Sequence, residues 1–207
     1  LKVNHTKQTY NGVDCETCLV TLVSDTSNFV VAKDGDELIS PYPAVNPDSI
    51  GPNWATPVGD AEWIWGETAL PSGSDNTTYT FENSFSWQGT PGDVNLDFQL
   101  AADDDYRILL NGTEIGSGDD AWQTVETLSL PGDELVQGSN TIRFEVTNSG
   151  GFRAGLMYQL TIESEDCEAG VADFQQACML WNETDLDGSQ TFFSFSDIKP
   201  GDLGTNV

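Results

Sequence analysis

Basic residues are scarce in this chain. Seven Lys and Arg stand against 34 Asp and Glu, a formal net charge of −27. Binding nucleic-acid phosphates needs clustered Lys and Arg, so nucleic acid is excluded as a partner. Histidine is scarcer still: His5 is the only one. A Ser-His-Asp arrangement has no other candidate, no HExxH motif occurs, and no glycine loop suits phosphate. No apolar run approaches the roughly 18 residues of a membrane-spanning helix. Helical periodicity is missing too, apart from a short candidate around Val171–Leu180. Cysteine is absent from the whole middle of the chain, between Cys18 and Cys167.

What is present is mostly β pattern. Tyr79, Phe81, Phe85 and Trp87 alternate with polar residues, as do Val94, Leu96, Phe98, Leu100 and Ala102. Ile142, Phe144 and Val146 repeat the pattern, followed by Leu156, Tyr158, Leu160 and Ile162. A period of two marks half-buried antiparallel strands. "YRILLNGTEIG" places Asn111-Gly112 between two short strands, a strong hairpin signal. Pro91-Gly92-Asp93, Pro131-Gly132-Asp133 and Gly150-Gly151 supply further turns. The expectation is an all-β chain built on a jelly-roll β-sandwich.

The acids are spread between the strands and form no acidic tail. Such a surface repels itself at low salt. Screening shrinks the Debye length from about 10 Å at 0.1 M to about 3 Å at 1 M. A saline or Ca²⁺-rich exterior suits this balance, and so does an ordinary acidic secreted protein.

The four cysteines, Cys15, Cys18, Cys167 and Cys178, suggest disulfides, with three connectivities open. A redox CxxC or half a zinc site fits less well, since neither a βαβ context nor a second close pair is present. Sequons occur at Asn4, Asn76, Asn111 and Asn182, and Asn111 is expected at an exposed hairpin tip.

Three adjacent carboxylates, Asp103, Asp104 and Asp105, repel one another unless they are solvated or bound to a hard cation. "NETDLDGSQT" offers Asp185, Asp187, Ser189 and Thr191 at alternating positions around Gly188. Calcium is the cofactor these patterns suggest. Solvated turns are the plainer reading, and the bidentate Glu of a full EF-hand is missing because residue 194 is Ser. Aromatic rings can stack on sugar faces, so Trp54, Trp63, Trp65, Trp122 and Phe152 are candidates. Trp63 and Trp65 are expected on one face of a strand, as core. Trp122 and Phe152-Arg153 are expected at loop tips, where Arg153 either caps a carboxylate or binds a sugar hydroxyl.

Two resemblances organise the chain. "AEWIW", "FENSF", "LDFQLAADDDYRILLNGTEIG", "LVQGSNTIRFEVTNSGG" and "AGLMYQLTI" resemble, in order, the galactose-binding-like jelly rolls appended to secreted glycosidases and surface proteins. They span about Leu19 to Glu163. "LKVNHTKQTYNG" and "DGSQTFFSFSDIKPGDLGTNV" resemble the TasA/camelysin-like (SipW-dependent) secreted filament proteins, in which both stretches belong to one β-sandwich. Together the two resemblances imply a jelly roll at residues 15–166 inserted into a TasA-like β-sandwich made by 1–14 and 167–207. They further imply that the chain is a piece of a longer protein.

The expected function is that of an extracellular structural protein, a subunit of a pilus-like or biofilm filament. It would polymerise with itself by β-strand donation, with Leu1–Tyr10 a candidate pairing strand. The jelly roll would project outward as a lectin-like module. The alternative is a polysaccharide-binding adhesin, or an accessory module of a larger secreted hydrolase. Carboxylate pairs are plentiful enough to leave glycosidase chemistry open by residue type. The jelly-roll resemblance, however, is to accessory modules, so the chain is expected not to be an enzyme.

Overall fold

The structure is a computed structural model that describes residues 2–10, 13–47, 50–67, 76–90, 92, 94–119, 121–150 and 153–164, with side chains from residue 18 onward. The expectations for Phe152, Cys167, Cys178, Asn182, Asp185, Asp187 and Ser189, and for a helix near 171–180, fall outside the described residues. So do the side chains of Asn4 and Cys15.

The alternating segments form strands, and every pairing is antiparallel. One sheet has five strands in the order β1-β2-β11-β6-β9. Its strands are β1 (Lys2–Tyr10), β2 (Val13–Val23), β11 (Gly155–Ser164), β6 (Asn95–Asp103) and β9 (Glu126–Pro131). The other has six, in the order β4-β3-β5-β10-β7-β8. These are β4 (Asp36–Pro43), β3 (Phe29–Lys33), β5 (Thr77–Trp87), β10 (Gly138–Asn148), β7 (Asp105–Leu110) and β8 (Thr113–Gly118). The two sheets face each other as an all-β sandwich of jelly-roll type. The two end-pieces expected of a separate sandwich fare differently. Residues 2–10 pair with β2 and so extend the five-stranded sheet; residues 167–207 lie outside the described region.

The core lies where the alternation puts it. Phe81, Trp87, Leu96, Phe98, Leu100, Phe144, Val146, Tyr158 and Ile162 are all fully buried between the sheets. Phe144 bridges the layers, stacked on Tyr158 at 4.1 Å and edge-on to Phe98 at 6.2 Å. Such aromatic pairs contribute about 0.5–1.5 kcal/mol beyond their buried area. Asn111-Gly112 forms the expected β7–β8 turn, both residues having positive φ (51° and 88°). Asp34-Gly35 makes a second turn with the same signature between β3 and β4 (53° and 85°).

The outer face of the six-stranded sheet is wet and charged. Arg143 from β10 bonds Glu82 and Glu37, each at 2.8 Å. Arg107 from β7 pairs with Glu114 at 3.0 Å and Glu145 at 3.3 Å. The outer face of the five-stranded sheet is different, because part of it is covered. Ala101 of β6 and Met157 of β11 point outward yet are fully buried. A long connection over residues 44–67 lies across them and packs as a second apolar cluster with Ala55, Ala61 and Trp63.

Candidate functional site

Ser24, fully buried after β2, anchors that connection. Its N–H donates to the Tyr158 carbonyl at 2.9 Å, and its Oγ accepts from the Tyr158 N–H at 2.9 Å. The same Oγ donates to the Glu62 carbonyl at 2.6 Å, while the Glu62 N–H donates to the Ser24 carbonyl at 2.7 Å. The return arm continues through Ile64, whose N–H donates to the Leu156 carbonyl at 2.9 Å. The expected strand with Trp63 and Trp65 on one shared face is not what forms. Isolated bridges hold this arm, so Trp65 turns into the main core beside Tyr79 and Phe81. Trp63 goes to the outer cluster instead. Both are buried, as expected.

Three indoles gather on this outer surface. Trp54 lies 4.4 Å from Trp63 and 6.4 Å from Trp122, ring centre to ring centre. Trp63 is fixed by a hydrogen bond from its Nε1–H to the Ala55 carbonyl at 3.1 Å. Trp122 rides on the loop before β9, tied to the connection where the Ala55 N–H donates to the Trp122 carbonyl at 2.8 Å. Beside it, the Tyr106 hydroxyl donates to the Glu126 carboxylate. Burial, and then Glu126 itself, push the Tyr106 hydroxyl far above its ordinary pKa. Trp54 and Trp122 remain part-exposed; Trp63 is buried beneath them.

Glycine makes the close approach possible. A Cβ on Gly155 would stand 2.9 Å from both the Trp54 and Trp63 rings. A Cβ on Gly51 would stand 2.8 Å from Trp54 Nε1 and 2.9 Å from Arg153 Nη1. The two donors therefore converge on one spot beside Gly51. Neither has a hydrogen-bond acceptor among the described residues. That isolates Arg153, because Arg107 and Arg143 each hold two carboxylates. Of the expected sugar-binding residues, the structure thus brings Trp122 and Arg153 together around Trp54.

A shallow groove adjoins this platform. Asn46, Pro47, Ile50, Pro57, Glu62 and Trp63 line a volume of about 430 Å³. Asn46 Nδ2 donates to Glu62 Oε2 at 2.8 Å and to the Trp63 carbonyl at 3.2 Å. The groove's other lining residues are apolar apart from the Trp63 indole N–H, which is already bonded.

The carboxylate run is tied into the turn after β10. Asp104 accepts from the Ser149 N–H at 2.7 Å and the Gly150 N–H at 3.0 Å, capping the turn after β10. Asp103 is buried at the end of β6, while Asp105 is exposed. Asp104 and Asp105 share a partner, since the Ser149 Oγ lies 3.2 Å from Asp104 Oδ2 and 3.5 Å from Asp105 Oδ2. Among the described residues, no group of three or more His, Cys, Asp or Glu could hold a metal ion. Asn111 sits at its hairpin tip, but its side chain is committed. Nδ2 donates to the Glu134 carbonyl at 2.7 Å and to Asn140 Oδ1 at 2.9 Å. Oδ1 accepts from the Thr141 N–H at 2.9 Å. Cys18 is disulfide-bonded.

Sequence reasoning ranked Trp122 and Phe152-Arg153 above Trp54 and missed the groove. The signal was available in "LAAD" and "GLMY". There the alternation lapses into continuous apolar residues, which implies that both faces of β6 and β11 are covered.

No protein-family model matches the chain, and no curated protein matches it. Some solved structures are similar to part of it. A family 35 carbohydrate binding module from Clostridium thermocellum matches at TM-score 0.40 and 10% identity, over 69% of this chain and 97% of that one. The CBM36-1 domain of a multidomain xylanase from the hindgut metagenome of Trinervitermes trinervoides matches at TM-score 0.37 and 9% identity, over 70% and 97%. An FMN-binding beta-glucuronidase from Facaelibacterium prausnitzii L2-6 matches at TM-score 0.44 and 15% identity. That match covers 70% of this chain, which spans only 22% of the glucuronidase.

Proposed function

We propose that this chain is a carbohydrate-binding module of an extracellular protein, and that it binds glycan without catalysing a reaction on it. The carrying observation is the convergence of Arg153 Nη1 and Trp54 Nε1 beside Gly51, with the part-exposed Trp122 packed on Trp54. Indole faces stack on the C–H faces of sugar rings. A guanidinium fork and an indole N–H donate to hydroxyl oxygens. In a chain with 34 acids, an arginine that pairs with no carboxylate among the described residues is available to a ligand.

Affinity electrophoresis through gels containing soluble plant, fungal and bacterial polysaccharides tests this reading. At least one polysaccharide is expected to retard the chain. Trp54→Ala and Arg153→Ala should each weaken that retardation by about tenfold or more. Arg153→Ala should leave the melting temperature nearly unchanged, because it removes no ion pair among the described residues; Trp54→Ala should also lower it, because Trp54 packs on Trp63 and the outer cluster. Full mobility of the wild type in every gel and silence on a glycan array would overturn the reading.

A filament subunit is the second reading, favoured by one observation: β1 is an outermost, nine-residue strand, an edge of the kind that strand addition uses. Electron microscopy of the protein at high salt tests it. Filaments support it; monodisperse particles at every concentration and salt contradict it.

A further inference from the structure

We propose that the site holds an internal stretch of a neutral polysaccharide chain, several sugars long, lying from the Asn46–Glu62 end of the groove to the Arg153–Trp54 end. Glu62 keeps acidic glycans out. This rests on the carbohydrate-binding reading above.

Continuity carries the first part. Ile50 lines the groove, and Gly51, the next residue, is where Arg153 and Trp54 meet. Trp63 also lines the groove while its ring packs on Trp54 at 4.4 Å. Groove and platform therefore share Trp63 and adjoin at residues 50 and 51. The groove's volume of about 430 Å³ falls within the roughly 300–1,000 Å³ of small-molecule sites, though it is shallow and open. Recognition of a terminal sugar calls for a closed pocket that satisfies a whole ring at once. An open trough suits a chain passing over it.

The groups of the groove and the platform suit a glycan chain. Glu62 and Asn46 of the groove, and Arg153 and the Trp54 indole N–H of the platform, are partners for hydroxyls. Pro47, Ile50 and Pro57 of the groove offer apolar contact to ring C–H faces. Glu62 Oε2 is already bonded by Asn46 at 2.8 Å, which fixes the carboxylate, and Ser24 pins the Glu62 backbone on both sides. Its second oxygen has no partner among the described residues and can accept from a sugar hydroxyl.

Charge carries the second part. A single acidic sugar could pair with Arg153. A polyuronate that does so must place its next carboxylates toward Glu62, on a chain of net charge −27. Like charges at contact distance repel most strongly where water is partly excluded.

Isothermal titration calorimetry tests both parts. The titrants are neutral oligosaccharides, from mono- to hexasaccharide, of a polysaccharide retained in the gels, and oligogalacturonate of matched length. Affinity is expected to rise about tenfold or more from the monosaccharide to the tetrasaccharide, then level off. Oligogalacturonate should bind about tenfold or more weakly at low salt, and Glu62→Gln should narrow that gap. Ile50→Ser, a surface change, should weaken the tetrasaccharide and spare the monosaccharide. Equal affinity for mono- and tetrasaccharide overturns the internal-chain assignment. Tighter binding of oligogalacturonate overturns the role of Glu62. In either case carbohydrate binding itself survives; only silence toward every glycan removes both readings.

Discussion

Arg143 and Arg107 each spend their guanidinium on two glutamates, and Arg153 spends its own on none among the described residues. That contrast sets Arg153 apart from the two structural arginines, and no sequence rule could have drawn it. Asn111 shows the opposite outcome. Its sequon and hairpin tip suggest a glycan site, but both Nδ2 hydrogens are already bonded, to the Glu134 carbonyl and to Asn140. A glycan on Nδ2 would remove one of them. Mass spectrometry of protein from a glycosylating host should therefore find Asn111 unmodified and Asn76, exposed before β5, occupied. Asn111→Asp would face two acceptors with a carboxylate, and should cost about 1–3 kcal/mol in a denaturant titration. No loss of stability would remove Asn111 as a structural link. Tyr106 and Tyr158 give a pH prediction. Burial raises both hydroxyls above their ordinary value, with Glu126 adding to the rise at Tyr106. The unfolded chain loses these protons near pH 10, while the folded chain keeps them. Their contribution is whole below that pH and falls as pH climbs above it. Thermal melts from pH 8 to 11 should decline steeply, and the Tyr106→Phe, Tyr158→Phe double variant should decline less.

At the scale of elements, period-two patterning made β5, β6, β10 and β11 legible, because each has one face in the core. The Asn-Gly pair did the same for β7 and β8. Strands β3 and β4 were not read. Asp34-Gly35 gave the same turn signal, but β4 is an edge strand whose residues are mostly exposed, so it carries no alternation. The 44–67 connection was illegible for a related reason. It packs through turns and single bridges, and irregular backbone has no period to detect. Strand geometry also bears on the cysteines. Cys15 and Cys18 lie three residues apart on continuous β2, so their Cα atoms are about 10 Å apart, beyond the roughly 7 Å a disulfide spans. Cys18, opposite Ser164 at the end of β11, should therefore pair with Cys167 or Cys178. Non-reducing peptide mapping is expected to recover a peptide joining β2 to the segment after β11. A Cys15–Cys18 loop would contradict this geometry.

For the whole molecule, a net charge of −27 is the dominant long-range fact. The compact state gathers that charge into a smaller volume than the unfolded chain does, so self-repulsion opposes folding and salt relieves it. Raising NaCl from about 0.02 to 1 M should lift the melting temperature by at least the 2–4 °C that about 1 kcal/mol produces at this size. An unchanged melting temperature would mean that counter-charges already balance the surface. Charge also shapes the functional reading, since it penalises anionic polymers on approach and spares neutral ones. On the proposed function, such a polymer rests on Trp54 and Trp122. Indole N–H resonances in a two-dimensional ¹H–¹⁵N spectrum report on each tryptophan separately. Titration with a retained oligosaccharide should move the Trp54 and Trp122 indole signals and leave those of buried Trp65 and Trp87 in place. Saturable binding that leaves Trp54 and Trp122 unmoved would contradict the account and put the ligand elsewhere on the sandwich.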